Sequence, residues 1–251
     1  MSVNIEIKGV SKHFGDVVAV DNASFDIPAN RFVSIIGPSG CGKSTLLRVV
    51  SGLSEPTCGE VLIGGVPVSG PAKDTGMVFQ SPVLLPWRTT LDNVLLTCEM
   101  SGAKPEKYRQ RAMELIALAG LTGFENSYPH QLSGGMQQRA GICRALLLNP
   151  ALILMDEPFG ALDVITRERM GFELLKIWAH SRNTVLFVTH SITEAILLSD
   201  TVIVMSPRPG RVQDVVEINL PRPRTRETMR GSRFTELAER LGGEIQSNWS
   251  E

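Results

Sequence analysis

The sequence carries no excess of charge of either sign: 25 Lys and Arg stand against 26 Asp and Glu, a net charge of −1. That balance argues against a nucleic-acid binder held mainly by phosphate contacts, which needs a basic surplus. No apolar run approaches the ~18 residues that cross a bilayer, and the strongest apolar stretches have strand length. Cysteine is sparse and scattered. Cys41, Cys58, Cys98 and Cys143 form no Cys-x-x-Cys pair and have no His partner at metal spacing. Reduced thiols in cytosol are therefore expected rather than a disulfide framework or a zinc site. The N-terminus lacks the basic start and apolar run of a signal peptide. Instead Val3, Ile5 and Ile7 alternate with Asn4, Glu6 and Lys8, the pattern of a half-buried strand. Internal repeats and low-complexity segments are missing too. What is left is a soluble cytoplasmic chain of 251 residues, 43% hydrophobic, sized for one α/β domain with an inserted or appended subdomain.

Short apolar runs recur at α/β spacing. Residues 32–36, 76–79, 152–155, 185–188 and 202–205 read as buried strands, several without polar alternation, as parallel strands covered on both faces should be. Between Pro86 and Pro150 the pattern turns helical. Ala112, Leu115 and Ala119 fall at three- and four-residue spacing, and Gly120 is a plausible stop. The division expected is a nucleotide-binding α/β core over 1–86 and 150–220, a helical subdomain over 87–149, and a C-terminal tail over 221–251. The tail opens Pro221-Arg222-Pro223-Arg224, poor for strand or helix. Its Arg residues read as a solvated surface segment, dispensable for catalysis. Phe234, Leu237, Ala238 and Leu241 then fit one face of a short helix.

The chemistry concentrates in a few motifs. Gly37-Pro38-Ser39-Gly40-Cys41-Gly42-Lys43-Ser44 follows an apolar strand and precedes a helical pattern starting at Thr45. Glycines let backbone N–H groups wrap phosphate oxygens, and a helix N-terminus adds its positive end. Lys43 is suited to the β/γ-phosphates and the Ser44 hydroxyl to Mg²⁺. Leu152-Ile153-Leu154-Met155 ends in Asp156-Glu157. Alone, such a pair reads equally as a solvated strand cap. Beside a phosphate loop, Asp156 gains the task of holding Mg²⁺ and Glu157 becomes the candidate general base. Gln80 and His190 each close a strand, on the side of the sheet where ligands bind. Gln80 is placed to touch both Mg²⁺ and the attacking water, and His190 to contact the γ-phosphate.

Ser133-Gly134-Gly135 opens another helical run through Met136, Ala140, Cys143 and Leu147. Ser133 is a good N-cap, and capping alone is one reading. The other is an anion grip at the helix N-terminus. A helical insert projects away from the phosphate loop, so this grip would serve a nucleotide held by a second subunit in two-fold head-to-tail contact.

In their order along nearly the whole chain, these motifs resemble the nucleotide-binding subunit of ATP-binding cassette (ABC) transporters. The resemblance implies a P-loop NTPase core with a mainly parallel sheet and an inserted helical subdomain, an ATPase using ATP and Mg²⁺. It implies that Phe14 stacks on adenine, the alternative being a core Phe, and that Asp163 in Ala161-Leu162-Asp163 lies at a dimer seam. The implied partners are a second ATP-binding subunit, expected to be another copy of this chain, transmembrane permease subunits at the cytoplasmic face of the membrane and, indirectly, an extracytoplasmic solute-binding protein. Residues 85–94 and Met205-Ser206-Pro207-Arg208-Pro209-Gly210-Arg211 resemble nitrate, sulfonate and taurine importers. An ABC ATPase acting on DNA or ribosomes is the alternative, against which stand a single cassette, no heptad arm and no basic excess. Trp87 is expected either to dock the permease or to pack inside the helical subdomain.

Overall fold

A computed structural model of the chain describes residues 2–181 and 183–247. Among the described residues, ten strands form two sheets: β1 (Ile5–Phe14), β2 (Val17–Ile27), β3 (Phe32–Ile36), β4 (Cys58–Ile63), β5 (Val66–Pro67), β6 (Thr75–Val78), β7 (Leu152–Asp156), β8 (Thr184–Val188), β9 (Thr201–Met205) and β10 (Val212–Glu217). Eight α-helices accompany them there: α1 (Lys43–Val50), α2 (Thr90–Ser101), α3 (Pro105–Leu118), α4 (Gly134–Leu146), α5 (Val164–Ser181), α6 (Ile192–Leu198), α7 (Arg226–Arg230) and α8 (Ser232–Ser247).

The larger sheet runs β10-β9-β3-β8-β7-β6, parallel except for β10 at its edge. Strands β3, β7, β8 and β9 are buried throughout, which explains why their sequences are apolar without alternation. Their period-2 geometry still sorts the side chains onto two faces. Phe32, Ile153, Met155, Val185 and Phe187 join one core with α2 to α6 and α8. Val33, Leu152, Leu154, Leu186 and Val188 join a second core with α1 and the smaller sheet. That smaller sheet, β2-β1-β4-β5, is antiparallel. The sequence reading found its β1 through the Val3-Ile5-Ile7 alternation and overlooked the rest. Register shifts along β1 and β2, with Asn22 at φ 50°, interrupt the alternation that would have marked them.

Between β6 and β7, α2, α3 and α4 contribute Val94, Ile116 and Ala140 to the same core that covers the sheet. Thr89 caps α2 by accepting from Asp92 N, and Gly120, at φ 65°, follows the end of α3.

The expectation of a solvated Pro/Arg tail is corrected. Arg224 is buried and donates to the carbonyls of Ile196 (2.8 Å), Leu197 (3.0 Å) and Ser199 (2.6 Å) at the C-terminal end of α6. Arg222 reaches Leu198 O at 2.7 Å and Asp200 Oδ1 at 2.8 Å, with its guanidinium 4.2 Å from the Trp178 ring centroid. A helix leaves its last carbonyls unpaired, and these guanidiniums supply the donors. Burial pulls the Arg224 guanidinium down to about 10. Beyond it, α8 buries Phe234, Leu237 and Leu241 as its apolar spacing predicts.

Candidate functional site

Strand register brings the ends of β6, β7, β8 and β3 level. Val78 pairs with Met155, Met155 with Phe187, and Phe187 with Ser34. Whatever follows these residues is therefore delivered to one edge of the sheet, where open α/β sheets bind ligands. After β3 comes the loop Gly37–Ser44; after β6, Gln80; at and after β7, Asp156 and Glu157; after β8, His190.

The loop leads into α1, with Gly42 as N-cap at φ 108°. A Cβ on Gly42 would lie 2.5 Å from Ala19 O, so only glycine lets β2 and the loop approach this closely. The buried Lys43 ammonium donates to Gly37 O and Pro38 O, both at 2.8 Å, and thus closes the loop around itself. Ser44 Oγ donates to Asp156 Oδ1 at 2.8 Å. Burial pushes the Asp156 carboxyl above the usual range, an effect opposed mainly by the Ser44 hydroxyl bond.

Glu157 holds a left-handed backbone, φ 44°, uncommon for a residue with a side chain. Its N–H donates to Val188 O at 2.9 Å, and His190 Nδ1 donates to its Oε2 at 3.1 Å. The two neighbouring carboxylates thus part: Asp156 turns to the phosphate-loop serine, Glu157 to the more exposed histidine. Gln80 is exposed just past β6. One contact the sequence reading missed holds this segment. Gln138, buried on α4, donates to Phe79 O at 3.0 Å and so joins the helix after Ser133 to the Gln80 strand end. A glutamine at an inward helical position carried that signal.

Phe14 is 55% exposed, which removes the core alternative. It pairs with Val17 at the turn between β1 and β2, and Lys12 Nζ lies 5.2 Å from its ring centroid. Ser133 caps α4 by accepting from Met136 N at 3.3 Å, yet Ser133 and Gly134 remain exposed, and a Cβ on Gly134 would meet nothing within 4 Å. Asp163 caps α5, accepting from Thr166 N at 2.9 Å; the N–H bonds it accepts hold its carboxyl below the usual range. The adjoining Val164 and Ile165 are 78% and 79% exposed. The structure therefore gathers Lys43, Ser44, Asp156, Glu157 and His190 at one edge of the sheet, with Ser44 bonded to Asp156 and His190 to Glu157, while Ser133, Gly134 and Asp163 present themselves outward. Chemically, the gathered set offers a loop for phosphates, oxygen donors for a hard cation, and a carboxylate free to take a proton.

The chain is similar to known proteins in sequence and in fold. A family profile described as ABC transporter matches residues 20–160. A taurine import ATP-binding protein of Rhizobium johnstonii is 50% identical over 78% of this chain and 75% of its own. An aliphatic sulfonates import ATP-binding protein of Bacillus cereus is 40% identical over 98% of this chain and all of its own. Among solved structures, the dimeric post-hydrolysis state of an ATP-binding cassette bound to ADP and Pi superimposes with a TM-score of 0.77 at 36% identity, covering 86% of this chain and all of that one. The chain belongs to the ABC transporter family, as an ATP-binding subunit with ATPase activity.

Proposed function

We propose that this ATPase drives import of a small solute, a sulfonate, taurine, nitrate or a related compound, through a membrane permease. The observation that carries the reading is the split site. Lys43, Ser44, Asp156, Glu157 and His190 converge, while the Ser133 turn faces outward with its cap made and Gly134 open. Two copies in head-to-tail contact complete each site, the loop of one with the Ser133-Gly134-Gly135 turn of the other. The similar solved cassettes are dimeric, and importers named for taurine and sulfonates are among the relatives.

In this reading the loop N–H groups from Ser39 to Thr45 and the Lys43 ammonium bind the phosphates, and Phe14 supplies a flat face for adenine. Ser44 Oγ, Asp156 and Gln80 are neutral or anionic oxygen donors, the set a Mg²⁺ ion takes; when bound, it offsets charge on the β- and γ-phosphates. Glu157 accepts the proton of the in-line water as the water oxygen bonds to the γ-phosphorus and the bond from that phosphorus to the β–γ bridging oxygen breaks, releasing ADP and phosphate, and His190, held by Glu157, contacts the γ-phosphate. Asp163 lies at the seam. The proposed division is 1–86 with 150–220 as core, 87–149 as helical subdomain and 221–251 as C-terminal segment. Among the described residues no helix is long and apolar enough to cross a membrane; the proposed place is the cytoplasmic face of the membrane, bound to the permease. A solute-binding protein outside then determines the cargo. With one cassette and a net charge of −1, a role on DNA or ribosomes has less support.

Trp87 is the proposed permease anchor, 70% exposed. The loop that presents it is held from beneath: Asn93, fully buried, accepts from Leu85 N at 2.7 Å and donates to Leu85 O, Arg88 O and Thr89 O. Arg88 pairs with Glu99 at 2.6 Å. A rigidly held, exposed aromatic is the kind of residue that anchors an interface, where truncation costs about 2 kcal/mol or more. Trp87→Ala is expected to weaken capture of the permease by at least about tenfold and to depress solute uptake, with ATP binding intact. The check is co-purification from membranes with uptake at matched protein levels. Unchanged capture and uptake would remove Trp87 from the dock.

A further inference from the structure

We propose that Arg208 is a nucleotide-positioning residue: the loop after β9 delivers its guanidinium onto the phosphate loop and holds that loop in the shape that receives ATP. This rests on the ATP site described above and adds a support that the phosphate-loop motif does not contain. For the N–H groups of residues 39–45 to converge on phosphates, the intervening carbonyls must turn away. Gly40 is the freest hinge in that stretch, at φ 77° with no side chain to restrain it. Arg208 Nε and Nη2 both donate to Gly40 O at 3.3 Å. These bonds are long, but two donors from one planar fork resist rotation of the peptide better than one.

The loop carrying Arg208 is itself tied down. Ser206 N donates to Arg211 O at 3.0 Å, and Ser206 Oγ accepts from Arg211 N at 3.0 Å. Gly210 N donates to Ala19 O at 3.2 Å, Asp21 N donates to Gly210 O at 2.9 Å, and Arg211 pairs with Asp21 at 2.6 Å. The two loops also meet backbone to backbone: a Cβ on Gly210 would stand 1.9 Å from Cys41 O, and one on Gly37 2.9 Å from Met205 O. Gly37 and Cys41 are thus fenced from outside by Met205 and Gly210, and Arg208 closes the gap between them at Gly40. The same β2 residues that hold Gly210 continue to Val17, the partner of Phe14, so the phosphate end and the proposed adenine end share one frame.

The test compares the full chain with Arg208→Ala, Arg208→Gln and Arg208→Lys, using equilibrium binding of N-methylanthraniloyl-ATP and -ADP with Mg²⁺, steady-state ATPase kinetics and nucleotide-free melting. Arg208→Ala is expected to weaken both nucleotides by about fivefold, the scale of losing a polar tether. KM should rise in step while kcat falls by less, because the tether acts on binding rather than on the γ-phosphate alone. Melting without nucleotide should move by no more than ~2 °C, since a solvent-exposed contact is lost. Arg208→Gln, a neutral side chain with one donor nitrogen, should recover part of the affinity. Wild-type affinity in Arg208→Ala would overturn the assignment. So would recovery by Lys but not by Gln, which would mean that charge attracts the phosphates with no tether involved. Failure of the unsubstituted chain to bind either nucleotide would instead strike the ATP site itself.

Discussion

Glu157→Gln is expected to hydrolyse ATP about 10²–10⁴-fold more slowly than the parent chain, the usual loss when a general base is removed. The amide matches the carboxylate in size and still accepts from His190 Nδ1, which now lies 3.1 Å from Glu157 Oε2, so the local geometry should survive. What it loses is the ability to take the water's proton. Ser44, Lys43 and Asp156 are untouched, and their contacts are made among themselves and with Gly37 and Pro38, so ATP and Mg²⁺ should still bind. Steady-state phosphate release at saturating ATP is the measurement. Turnover at the parent rate would show that Glu157 is not the base.

Removing residues after Leu220 is expected to cost the fold most of its stability rather than to leave an active core. The truncation deletes Phe234, Leu237 and Leu241, all buried in the core shared with the sheet. At about 1.5–3 kcal/mol for each such side chain, that loss alone is comparable with the ~5–15 kcal/mol total of an ordinary domain. It also strips Arg224 from the last carbonyls of α6, the helix that starts two residues after His190. Arg224→Met isolates this second effect: it keeps the apolar stem and leaves the carbonyls without donors, at about 1–3 kcal/mol. Melting should fall by roughly 2–4 °C per kcal/mol for a chain of this size. Circular dichroism melts of both variants provide the check. A 1–220 chain that melts with the full-length protein would refute the anchoring role given to this segment.

The contrast between the tail and the site shows what was legible beforehand. That the phosphate loop, Asp156, Glu157 and His190 meet at one sheet edge could be read because each sits at the end of an apolar strand; the roles given to them remain proposals. Helix faces such as Ala112-Leu115-Ala119 and Phe234-Leu237-Leu241 were readable because burial imposes a spacing. Arg224 was not, since an arginine beside prolines looks solvated unless one knows that α6 ends nearby with carbonyls to spare. The Gln138 bond to Phe79 and the Arg208 contact with Gly40 have the same origin: they join segments far apart in sequence, and no local pattern announces them. The antiparallel sheet beyond the start of β1 was missed because its register shifts break the period of two.

The composite site is the centre of the account, and a dimerisation assay tests it most directly. Glu157→Gln, binding ATP without consuming it and carrying one less negative charge near the γ-phosphate, should run as a dimer in size-exclusion chromatography with ATP and as a monomer without it. Adding Ser133→Arg places a long cation where the partner's γ-phosphate must seat against the N-terminus of α4, a turn now exposed and open. The double variant should remain monomeric with ATP while each chain still binds the nucleotide at its own phosphate loop. A double variant that dimerises on ATP as readily as Glu157→Gln alone would contradict the composite site.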